Sequence, residues 1–346
     1  MQFRCYGAAE LNSGQSKKGS RVARRIGVIG SFVWDVIYGR DPRSVPIEEW
    51  GGIAYALSGL DAALADDWEI VPLIKVGSDL ADRATRFLST LHRVADDAAV
   101  IEVPVPNNRV ELRYYSDERR SEVMSGGVPA WNWLGLKPVL DTARLDALYI
   151  NFLSGWELDL ETAKLIRQHF RGPIYCDIHM LVWAIQPSGL RTLRPLPNVA
   201  EWCSCFDLMQ MNDDEMAMMA PDPMALAATA LANGVRSLTV TLGKRGAVYF
   251  APPDFDVIDD LHRARPLGAA VGPVRTALVA SPEIVGNGGD PTGCGDVWGA
   301  TYFSRLLGGD NLGDAILAAH RAAARNVDHR GATGLANHLR GTISLT

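Results

Sequence analysis

Short apolar runs alternate with longer stretches of helical periodicity along most of the chain. Apolar runs of strand length occupy 70–76, 147–152, 173–176, 208–211, 237–241 and 247–250. Helix candidates occupy 54–65, 80–91, 160–170, 223–232 and 312–327. This alternation predicts an α/β fold, in which a mostly parallel sheet carries helices on both faces.

One stretch departs from the alternation. Residues 109–115 alternate polar and apolar side chains, a charged turn follows at 116–120, and a second short run occupies 121–124. A period of two with one polar side predicts a hairpin outside the parallel core. We expect a small β lid over the C-terminal edge of the sheet, with strands from about 36–50 and 107–125.

Composition and charge exclude several classes of partner. The chain has 34 Lys and Arg against 40 Asp and Glu, so its net charge of −6 gives no support to a nucleic acid or an anionic membrane as partner. No apolar stretch reaches the roughly 18 residues of a membrane span. We therefore expect a small-molecule substrate, with no nucleic-acid and no membrane partner.

The cysteines and the N-terminal segment indicate the compartment. The five cysteines are odd in number, and their spacing fits neither a zinc site nor a disulfide framework, which favours a reducing cytoplasm. Residues 1–24 are polar and basic without an apolar core, which predicts a disordered tail rather than a signal peptide. We expect residues 25–346 to form one domain.

The most informative segment is Gly-Gly-Asp-Pro-Thr-Gly-Cys-Gly-Asp at 288–296, which precedes an apolar stretch at 297–303. Unpaired N–H groups and the helix dipole make the start of a helix favourable for anions. Gly293 and Gly295 leave room for a phosphate against the main chain. Because Asp296 would repel a phosphate, it is best explained as a base for the group that attacks the phosphate.

Four weaker segments fit the same chemistry. Gly30–Asp35 places a carboxylate after a strand-end glycine, although a solvated loop Asp explains it as well. Trp50–Ala54 opens a helix with paired glycines, or is only a turn and cap. Met211–Glu215 suits Mg²⁺ and phosphate, or is an N-terminal capping box. Thr241–Gly246 is a strand-to-turn segment suited to lying under a nucleotide.

In this order the five segments resemble the ribokinase (PfkB) family of carbohydrate and nucleoside kinases. The most specific element is Asp290-Pro291-Thr292-Gly293-Cys294-Gly295-Asp296, close to the family's Asp-Thr-Thr-Gly-Ala-Gly-Asp signature. The resemblance covers the chain from about Arg25 onward. It implies a ribokinase-like three-layer sandwich with a small β lid, and transfer of a phosphoryl group from ATP, with Mg²⁺, to a hydroxyl that is expected to be primary.

The resemblance also implies residue roles. Catalysis falls to Asp296 as general base and to an anion hole formed by Gly293, Cys294 and Gly295. Acceptor-binding residues would be Asp35, Gly51, Gly52 and Asn151. Nucleotide and phosphate contacts would come from Asn212, Thr241, Gly243, Gly246 and His320, the last in the adenine pocket. Glu215 would organise Mg²⁺, and Asp290 with the 326–333 loop would hold a monovalent cation such as K⁺.

Departures from the family pattern bear on the acceptor. Ile53 and Ala56 stand where relatives carry hydroxyl ligands, and Asn151 and Leu153 stand where an acidic ligand is expected. Fewer hydroxyl ligands suggest an acceptor with an apolar or aromatic part, such as a nucleoside or a decorated sugar. The segment 131–133, with two Trp residues, could stack on a ligand ring or pack on the core.

Several alternatives stay open at this point. The protein could be a binding or regulatory protein that kept the fold without catalysis. A dehydrogenase is disfavoured, because the Gly27–Gly30 turn lacks the third glycine of a dinucleotide fingerprint. The segment 109–124 could form a homodimer interface or a monomer's flap. Cys294 could have a lowered pKa at its helix start, or could simply replace a small residue.

Overall fold

The computed structural model describes residues 23–38, 45–114, 120–262, 272–282 and 289–341. The tail predicted at 1–24 and the charged turn predicted at 116–120 lie almost entirely outside the described residues. In chain order the strands are β1 (Arg24–Ile29), β2 (Phe32–Tyr38), β3 (Ile47–Gly52), β4 (Trp68–Pro72), β5 (Lys75–Gly77), β6 (Ile101–Val103), β7 (Arg109–Tyr114), β8 (Arg120–Ser125), β9 (Ala147–Asn151), β10 (Ile174–Asp177), β11 (Trp183–Ile185), β12 (Arg191–Leu193), β13 (Leu208–Asn212), β14 (Ser237–Thr241), β15 (Ala247–Ala251) and β16 (Arg275–Val279).

The helices follow in the same way. They are α1 (Ile53–Ala63), α2 (Ala81–Leu88), α3 (Trp133–Ala143), α4 (Leu160–His169), α5 (Val199–Cys203), α6 (Asp213–Met219), α7 (Pro223–Ala232), α8 (Cys294–Leu307), α9 (Leu312–Val327) and α10 (Leu335–Arg340). Polar side chains fix several starts, because each accepts a hydrogen bond from an otherwise unpaired N–H group. Asp159 caps α4 in this way, Asp222 caps α7 and Asn311 caps α9.

The central sheet of the described residues has eight strands in the order β16-β15-β14-β13-β10-β9-β1-β4. From β4 to β14 every neighbouring pair is parallel, and β15 and β16 join antiparallel. The predicted α/β fold with a mostly parallel sheet is therefore confirmed. Because parallel strands end at the same edge, residues that follow β9, β10, β13 and β14 meet at one side of the molecule.

Two buried clusters cover the two faces of this sheet. Successive residues of β9 alternate between them, with Tyr149 in one cluster and Leu148 and Ile150 in the other. The first cluster takes its helical members from α1, α2, α8, α9 and α10, and the second takes them mainly from α3, α4, α5 and α7. The result is the predicted three-layer sandwich.

A separate four-stranded sheet in the order β3-β2-β7-β8 forms the small β lid. β2 pairs antiparallel with β3 and parallel with β7, and β7 pairs antiparallel with β8. Residues 39–44 of the predicted lid strand lie outside the described residues. The β11–β12 hairpin meets this sheet, where Met124 N–H donates to the Gly189 carbonyl at 2.9 Å.

Several elements differ from the sequence prediction, among them α5, α10 and the β11–β12 hairpin, which were not predicted. The apolar run at 70–76 is not one strand, because Leu73 and Ile74 separate β4 from β5, and these strands belong to different sheets. Helix α3 was not predicted. It contains Gly135 and Pro138, both poor helix formers, and it is started by Asn132, whose side chain accepts from Gly135 N–H at 2.9 Å.

The buried carboxylate of Asp61 on α1 pairs with Arg340 on α10, and substitution of Arg340 tests how much this pair stabilises the fold. The Asp61 side chain has no exposed surface, and it accepts from Arg93 N–H at 2.7 Å and from the Arg340 guanidinium. Arg340→Ala leaves a buried charge without its partner, so we expect the free energy of unfolding in urea to fall by about 3 kcal/mol.

The matched control is Lys137→Ala, which removes an exposed i,i+4 pair with Asp141. That change should lower the free energy of unfolding by no more than about 0.5 kcal/mol. Equal effects of the two substitutions would contradict a structural role for the Asp61–Arg340 pair.

Candidate active site

In the described part of the 288–296 segment, residues 289–293 lead into α8 and residues 294–296 begin it, as predicted. Gly293 is the residue before the helix and has φ +74°, in the left-handed region that favours glycine. A Cβ atom at this position would lie 2.1 Å from Cδ1 of Tyr55, so the ring of Tyr55 also requires glycine here. No side chain caps the helix, and of the N–H groups of its first turn that of Cys294 donates to the Pro291 carbonyl at 3.1 Å.

Two side chains from the sheet hold this first turn in place. Asn151, the last residue of β9, donates from Nδ2 to Oδ1 of Asp296 at 2.7 Å. Gln210 on β13 donates from Nε2 to the Gly295 carbonyl at 3.1 Å and to Oδ2 of Asp177, also at 3.1 Å. The predicted acceptor residue Asn151 and the predicted base Asp296 are therefore in direct contact.

Removal from water raises the pKa of Asp296 to about 6, against the opposing effects of the His179 charge and the Asn151 hydrogen bond. The carboxyl group is therefore mostly ionised at neutral pH and yet more basic than an ordinary aspartate. A base with its pKa near the working pH combines the correct protonation state with a useful driving force for proton transfer. The geometry and the ionisation of Asp296 both suit proton abstraction.

A second acidic group lies beside Asp296 at the end of β10. Asp177 is buried, and burial followed by the charge of Glu215 raises its pKa. Its Oδ1 accepts from the His179 N–H at 3.2 Å. His179 is the first residue of a one-turn 3₁₀ helix over 179–182. Burial lowers the pKa of His179, but the hydrogen bond with Glu215 and the carboxylate charges raise it to about 9. The imidazole is thus the cationic group among three carboxylates.

Asn212 and Glu215 form the capping box that the sequence left as an alternative. Oδ1 of Asn212 accepts from Glu215 N–H at 2.8 Å, and Oε2 of Glu215 accepts from Asn212 N–H at 2.9 Å. Oε1 of Glu215 bonds Nδ1 of His179 at 2.8 Å. Each carboxylate oxygen of Glu215 thus accepts one hydrogen bond and retains a lone pair for a magnesium ion or for a water bound to it. Within the described ranges, no group of three or more His, Cys, Asp and Glu side chains is arranged as a metal site.

The predicted nucleotide turn lies beyond the end of β14. Gly243 has φ +56° and open space in front of it, so no side chain blocks the approach of a ligand. Gly246 has φ +106°, and a Cβ atom there would lie 2.2 Å from the Val279 carbonyl oxygen on β16. Thr241 donates from Oγ1 to the Met211 carbonyl at 3.4 Å. The close approach of the β16 backbone therefore requires glycine at position 246.

His320 lies behind this turn in a fully bonded state. Its Nδ1 accepts from Nε1 of Trp298 at 3.0 Å, and its Nε2 donates to the Val279 carbonyl at 3.0 Å. Burial lowers the pKa of His320, which is consistent with a neutral ring. Since both nitrogens are used, His320 joins α8, α9 and β16, and its ring has no nitrogen left for an adenine base.

The predicted acceptor residues Asp35, Gly51 and Gly52 meet where β2 pairs with β3. Asp35 is buried, and a Cβ atom on Gly51 would lie 1.9 Å from its Oδ2. Gly52 has φ +57° and precedes α1. By contrast, Ile53 and Ala56 are fully buried in the first core cluster. Their apolar character is explained by core packing and is no evidence for an apolar acceptor.

The two Trp residues of the 131–133 segment pack on the protein. Nε1 of Trp131 donates to the Leu73 carbonyl at 2.9 Å, and Nζ of Lys75 lies 4.3 Å from the centre of its ring. The Trp133 ring stands edge-on to His169 with a centroid distance of 5.4 Å. Core packing, the second interpretation of these residues, is the one that the structure shows.

Asp290 lies among buried oxygens without hydrogen-bond partners. Its Oδ1 accepts from Thr292 N–H at 2.9 Å, and its N–H donates to the Val327 carbonyl at 3.0 Å. Oε1 of Glu49, Oγ1 of Thr292 and Oδ1 of Asn326 are buried and have no partner among the described residues. Burial raises the pKa of Glu49, the charge of Arg330 opposes this rise, and the charge of Asp290 adds to it. Oxygen atoms left unpaired beside a carboxylate are a donor set that suits a cation.

Several of these contacts were not visible in the sequence. Gln210 is the polar residue of the otherwise apolar Leu208–Met211 run, which was the available signal for a functional position. Glu49 of the lid reaches the loop after α9, where a Cβ atom on Gly331 would lie 1.7 Å from its Oε2. Nothing in the local sequence indicates that contact, since it depends on how the lid lies against the body.

The model of the pfkB family carbohydrate kinases matches residues 185–338, which include Asn212, Gly243 and the whole first turn of α8. The resemblance to the PfkB family is confirmed. No curated protein matches the chain at a significant level. Among the described residues, no helix is both long enough and apolar enough to cross a membrane.

Solved structures with the ribokinase fold cover nearly all of this PfkB-like chain. Ribokinase from Thermotoga maritima is 16% identical over 92% of this chain and 98% of its own, with a TM-score of 0.61. A nucleoside kinase from Methanocaldococcus jannaschii is 14% identical over 93% of this chain and 100% of its own, with a TM-score of 0.63. A pyrophosphate-dependent kinase of the ribokinase family is 14% identical over 89% of this chain and 96% of its own, with a TM-score of 0.62. At these identities the likeness shows the fold.

The prediction of a lowered pKa for Cys294 is wrong. The thiol donates to the Ala323 carbonyl at 3.4 Å and accepts from Nδ2 of Asn326 at 3.3 Å, and burial raises its pKa to about 11. Its thiolate fraction at pH 8 should be roughly 100-fold lower than that of an ordinary thiol. Iodoacetamide should therefore label Cys294 far more slowly in the native protein than in the urea-unfolded protein, as measured by peptide mass spectrometry. Equal labelling rates in the two states would contradict the burial of this thiol.

Proposed function

We propose that the protein transfers the terminal phosphoryl group of ATP to a hydroxyl, expected to be primary, of a sugar-like or nucleoside-like molecule. One observation carries the proposal. The carboxylate of Asp296, with its raised pKa, stands at the uncapped start of α8 and is held there by Asn151. A base and a set of N–H donors at one point are what phosphoryl transfer to an alcohol requires.

The transfer itself balances as follows. The acceptor oxygen forms a bond to the γ-phosphorus as its proton passes to Asp296, and the bond between that phosphorus and the β,γ-bridging oxygen breaks to release ADP. Backbone N–H groups of Gly293 and Gly295 would stabilise the negative charge on the equatorial oxygens. The N–H of Cys294 would join them on leaving the Pro291 carbonyl, to which it donates at 3.1 Å. Proton transfer to a positioned base contributes about 10²–10⁴-fold in rate.

The acceptor would lie between Asp35 and Asn151. Oδ1 of Asn151 is buried and has no partner among the described residues, so it is free to accept a hydrogen bond from the reacting or the neighbouring hydroxyl. Asp35 with Gly51 and Gly52 would contact the rest of the molecule. We keep both sugars and nucleosides as acceptor classes, since similar folds occur in ribokinase and in nucleoside kinases.

The donor would lie over the opposite half of the sheet edge. Thr241, Gly243 and Gly246 would carry the nucleotide, and Asn212 would act near its phosphates. Mg²⁺, when bound, neutralises charge on the β- and γ-phosphates. Asp177 and Glu215 provide the carboxylates that suit a hydrated magnesium ion.

A monovalent cation such as K⁺ would be held at Asp290. The unpaired oxygens of Glu49, Thr292 and Asn326 fit that role. We also retain a cytoplasmic location and a homodimer formed through the lid strands β7 and β8, with a flap in a monomer as the alternative. The second candidate function is a ligand-binding protein of the same fold without catalysis.

The test measures release of ADP from Mg·ATP across a panel of sugars, sugar phosphates and nucleosides, with pyrophosphate as an alternative donor. Turnover with one acceptor class should fall by at least about 10²-fold in Asp296→Asn, because the base is lost and the shape is kept. Acceptor binding without turnover in both proteins would favour the binding protein. Turnover that is unchanged in Asp296→Asn would contradict the role of Asp296.

The acidic limb of the pH profile provides a further prediction. Asp296 must be ionised to accept a proton, so kcat/KM should fall as the pH decreases through about 6. Asn151→Leu removes a hydrogen bond that lowers this pKa, and the limb should therefore move to higher pH. The measurement is kcat/KM between pH 5 and 8 for both proteins. A limb that stays in place would show that another group titrates.

A further inference from the structure

Helices α1 and α8 pack closely against each other, and each begins after a glycine of the proposed site. Gly52 precedes α1 and Gly293 precedes α8. Further along the two helices, a Cβ atom on Gly59 would lie 2.9 Å from Cβ of Ala300 and 3.3 Å from Cα of Val297. Small residues therefore bring the helix that follows the acceptor glycines next to the helix that carries the base.

Tyr55 lies between the two helix starts. It belongs to the first turn of α1, shortly after Gly51 and Gly52. Its ring lies against Gly293, where a Cβ atom would be 2.1 Å from Cδ1, 2.2 Å from Cγ and 2.6 Å from Cε1 of the ring. The ring thus packs on the proposed anion hole from the side of the proposed acceptor residues.

The hydroxyl of Tyr55 is unpaired although the residue is buried. Only 2% of Tyr55 is exposed, and within the described ranges its hydroxyl has no hydrogen-bond partner. Buried tyrosine hydroxyls usually have one. The hydroxyl of Tyr302, for example, is also buried and lies 3.0 Å from Oγ of Ser237. An unpaired hydroxyl beside two proposed binding segments is a group that a ligand can use.

The charges of four carboxylates act on this hydroxyl. Asp35 and Glu49 lie opposite each other on the paired strands β2 and β3, and Asp290 and Asp296 lie at the start of α8. Burial, followed by the charges of Glu49 and Asp35, raises the pKa of Tyr55. The phenol therefore keeps its proton at neutral pH and can donate a hydrogen bond.

Such a donor complements the other groups on the acceptor side. Oδ1 of Asn151 and the carboxylate of Asp35 can only accept, whereas each hydroxyl of an acceptor both donates and accepts. A carboxylate therefore satisfies the hydrogen of such a hydroxyl and leaves its oxygen to be satisfied by a donor. Because Glu49 and Asp35 act on Tyr55 more strongly than Asp296 does, the phenol lies on the lid side of the base. It is placed for a hydroxyl other than the reacting one.

We propose that Tyr55 is an acceptor-binding residue whose hydroxyl donates to a secondary hydroxyl of the acceptor. The inference rests on the proposed phosphotransferase function and adds to it a residue that selects the acceptor. A site built around a hydrogen bond rejects the analogue that lacks the bonded group, because the buried partner is then left unpaired. The competing account is that the ring of Tyr55 only fills the space beside Gly293.

The substitution Tyr55→Phe separates these accounts, because it keeps the ring and removes only the hydroxyl. The measurements are kcat and KM with Mg·ATP for two probes, ribose and inosine, and the melting temperature. We expect KM for the probe that is phosphorylated to rise roughly 10-fold, as for the loss of one hydrogen bond between neutral groups. KM for ATP and the melting temperature should not change, since the hydroxyl has no partner among the described residues.

The matched control is Tyr302→Phe, which removes a buried hydroxyl that does have a partner, Ser237. Its melting temperature should fall, because the Ser237 hydroxyl loses its partner, and its KM for the probe should equal that of the wild type. The two substitutions make the same chemical change, so they should show opposite effects on binding and on stability.

Deoxy analogues identify the oxygen that Tyr55 contacts. They are 2′-deoxyinosine and 3′-deoxyinosine for inosine, and 2-deoxyribose and 3-deoxyribose for ribose. With one analogue of the pair, the wild type and Tyr55→Phe should have the same KM, because the contact is then absent from both complexes. With the other analogue, the roughly 10-fold difference should remain.

Three results would overturn the inference. These are a KM of Tyr55→Phe equal to that of the wild type, a difference in KM that persists with both deoxy analogues, and a melting temperature that falls as far as in Tyr302→Phe. The third would show that the hydroxyl is used within the protein. A wild type without turnover on any acceptor marks instead the failure of the proposed function, and the inference then falls with it.

Discussion

The attachment of the first turn of α8 to the C-terminal edge of the parallel sheet is the constraint on which the site depends. Asn151, the last residue of β9, forms a hydrogen bond to Asp296, and Gln210, in the middle of β13, forms one to the Gly295 carbonyl. One turn later, Gly299 lets the helix approach the sheet, since a Cβ atom there would lie 2.1 Å from the Tyr175 hydroxyl. The same short segment thus presents a helix start without a side-chain cap and a carboxylate, both held against the strands.

That arrangement concentrates negative charge, and the structure offsets it locally. Asp177 and Glu215 are buried beside Asp296. Burial of a charged group is costly unless it is paired and hydrogen-bonded. Glu215 receives the Asn212 N–H and the His179 imidazole, Asp177 receives the His179 N–H and Gln210, and Asp296 receives Asn151. The bonds that make the cluster stable also place a base and a cationic ring at one point, so stability and chemistry depend on the same contacts.

Local patterns predicted much of this structure. The alternation of apolar runs with helical periodicity gave the fold class, and the Gly293–Asp296 segment gave the start of α8, because glycine conformation and helix-end electrostatics are local properties. Contacts between distant segments could not be predicted in this way. Asn151 and Asp296 are 145 residues apart in the sequence, and they meet only because the start of α8 packs against the end of β9. Likewise, the helix start suggested acidification of Cys294 as one of two alternatives, but burial outweighs that effect and raises the pKa of the thiol.

The most direct test of this account is the ionisation of Asp296 in the resting protein. Carbon-13 NMR of protein labelled at the aspartate side-chain carboxyl, with Asp296→Asn to assign the signal, gives its pKa without any substrate. A midpoint near 6 is predicted, because removal from water outweighs the Asn151 bond and the His179 charge. A midpoint near the ordinary value of about 3.9 would contradict the claim that the edge of the sheet prepares Asp296 as a base.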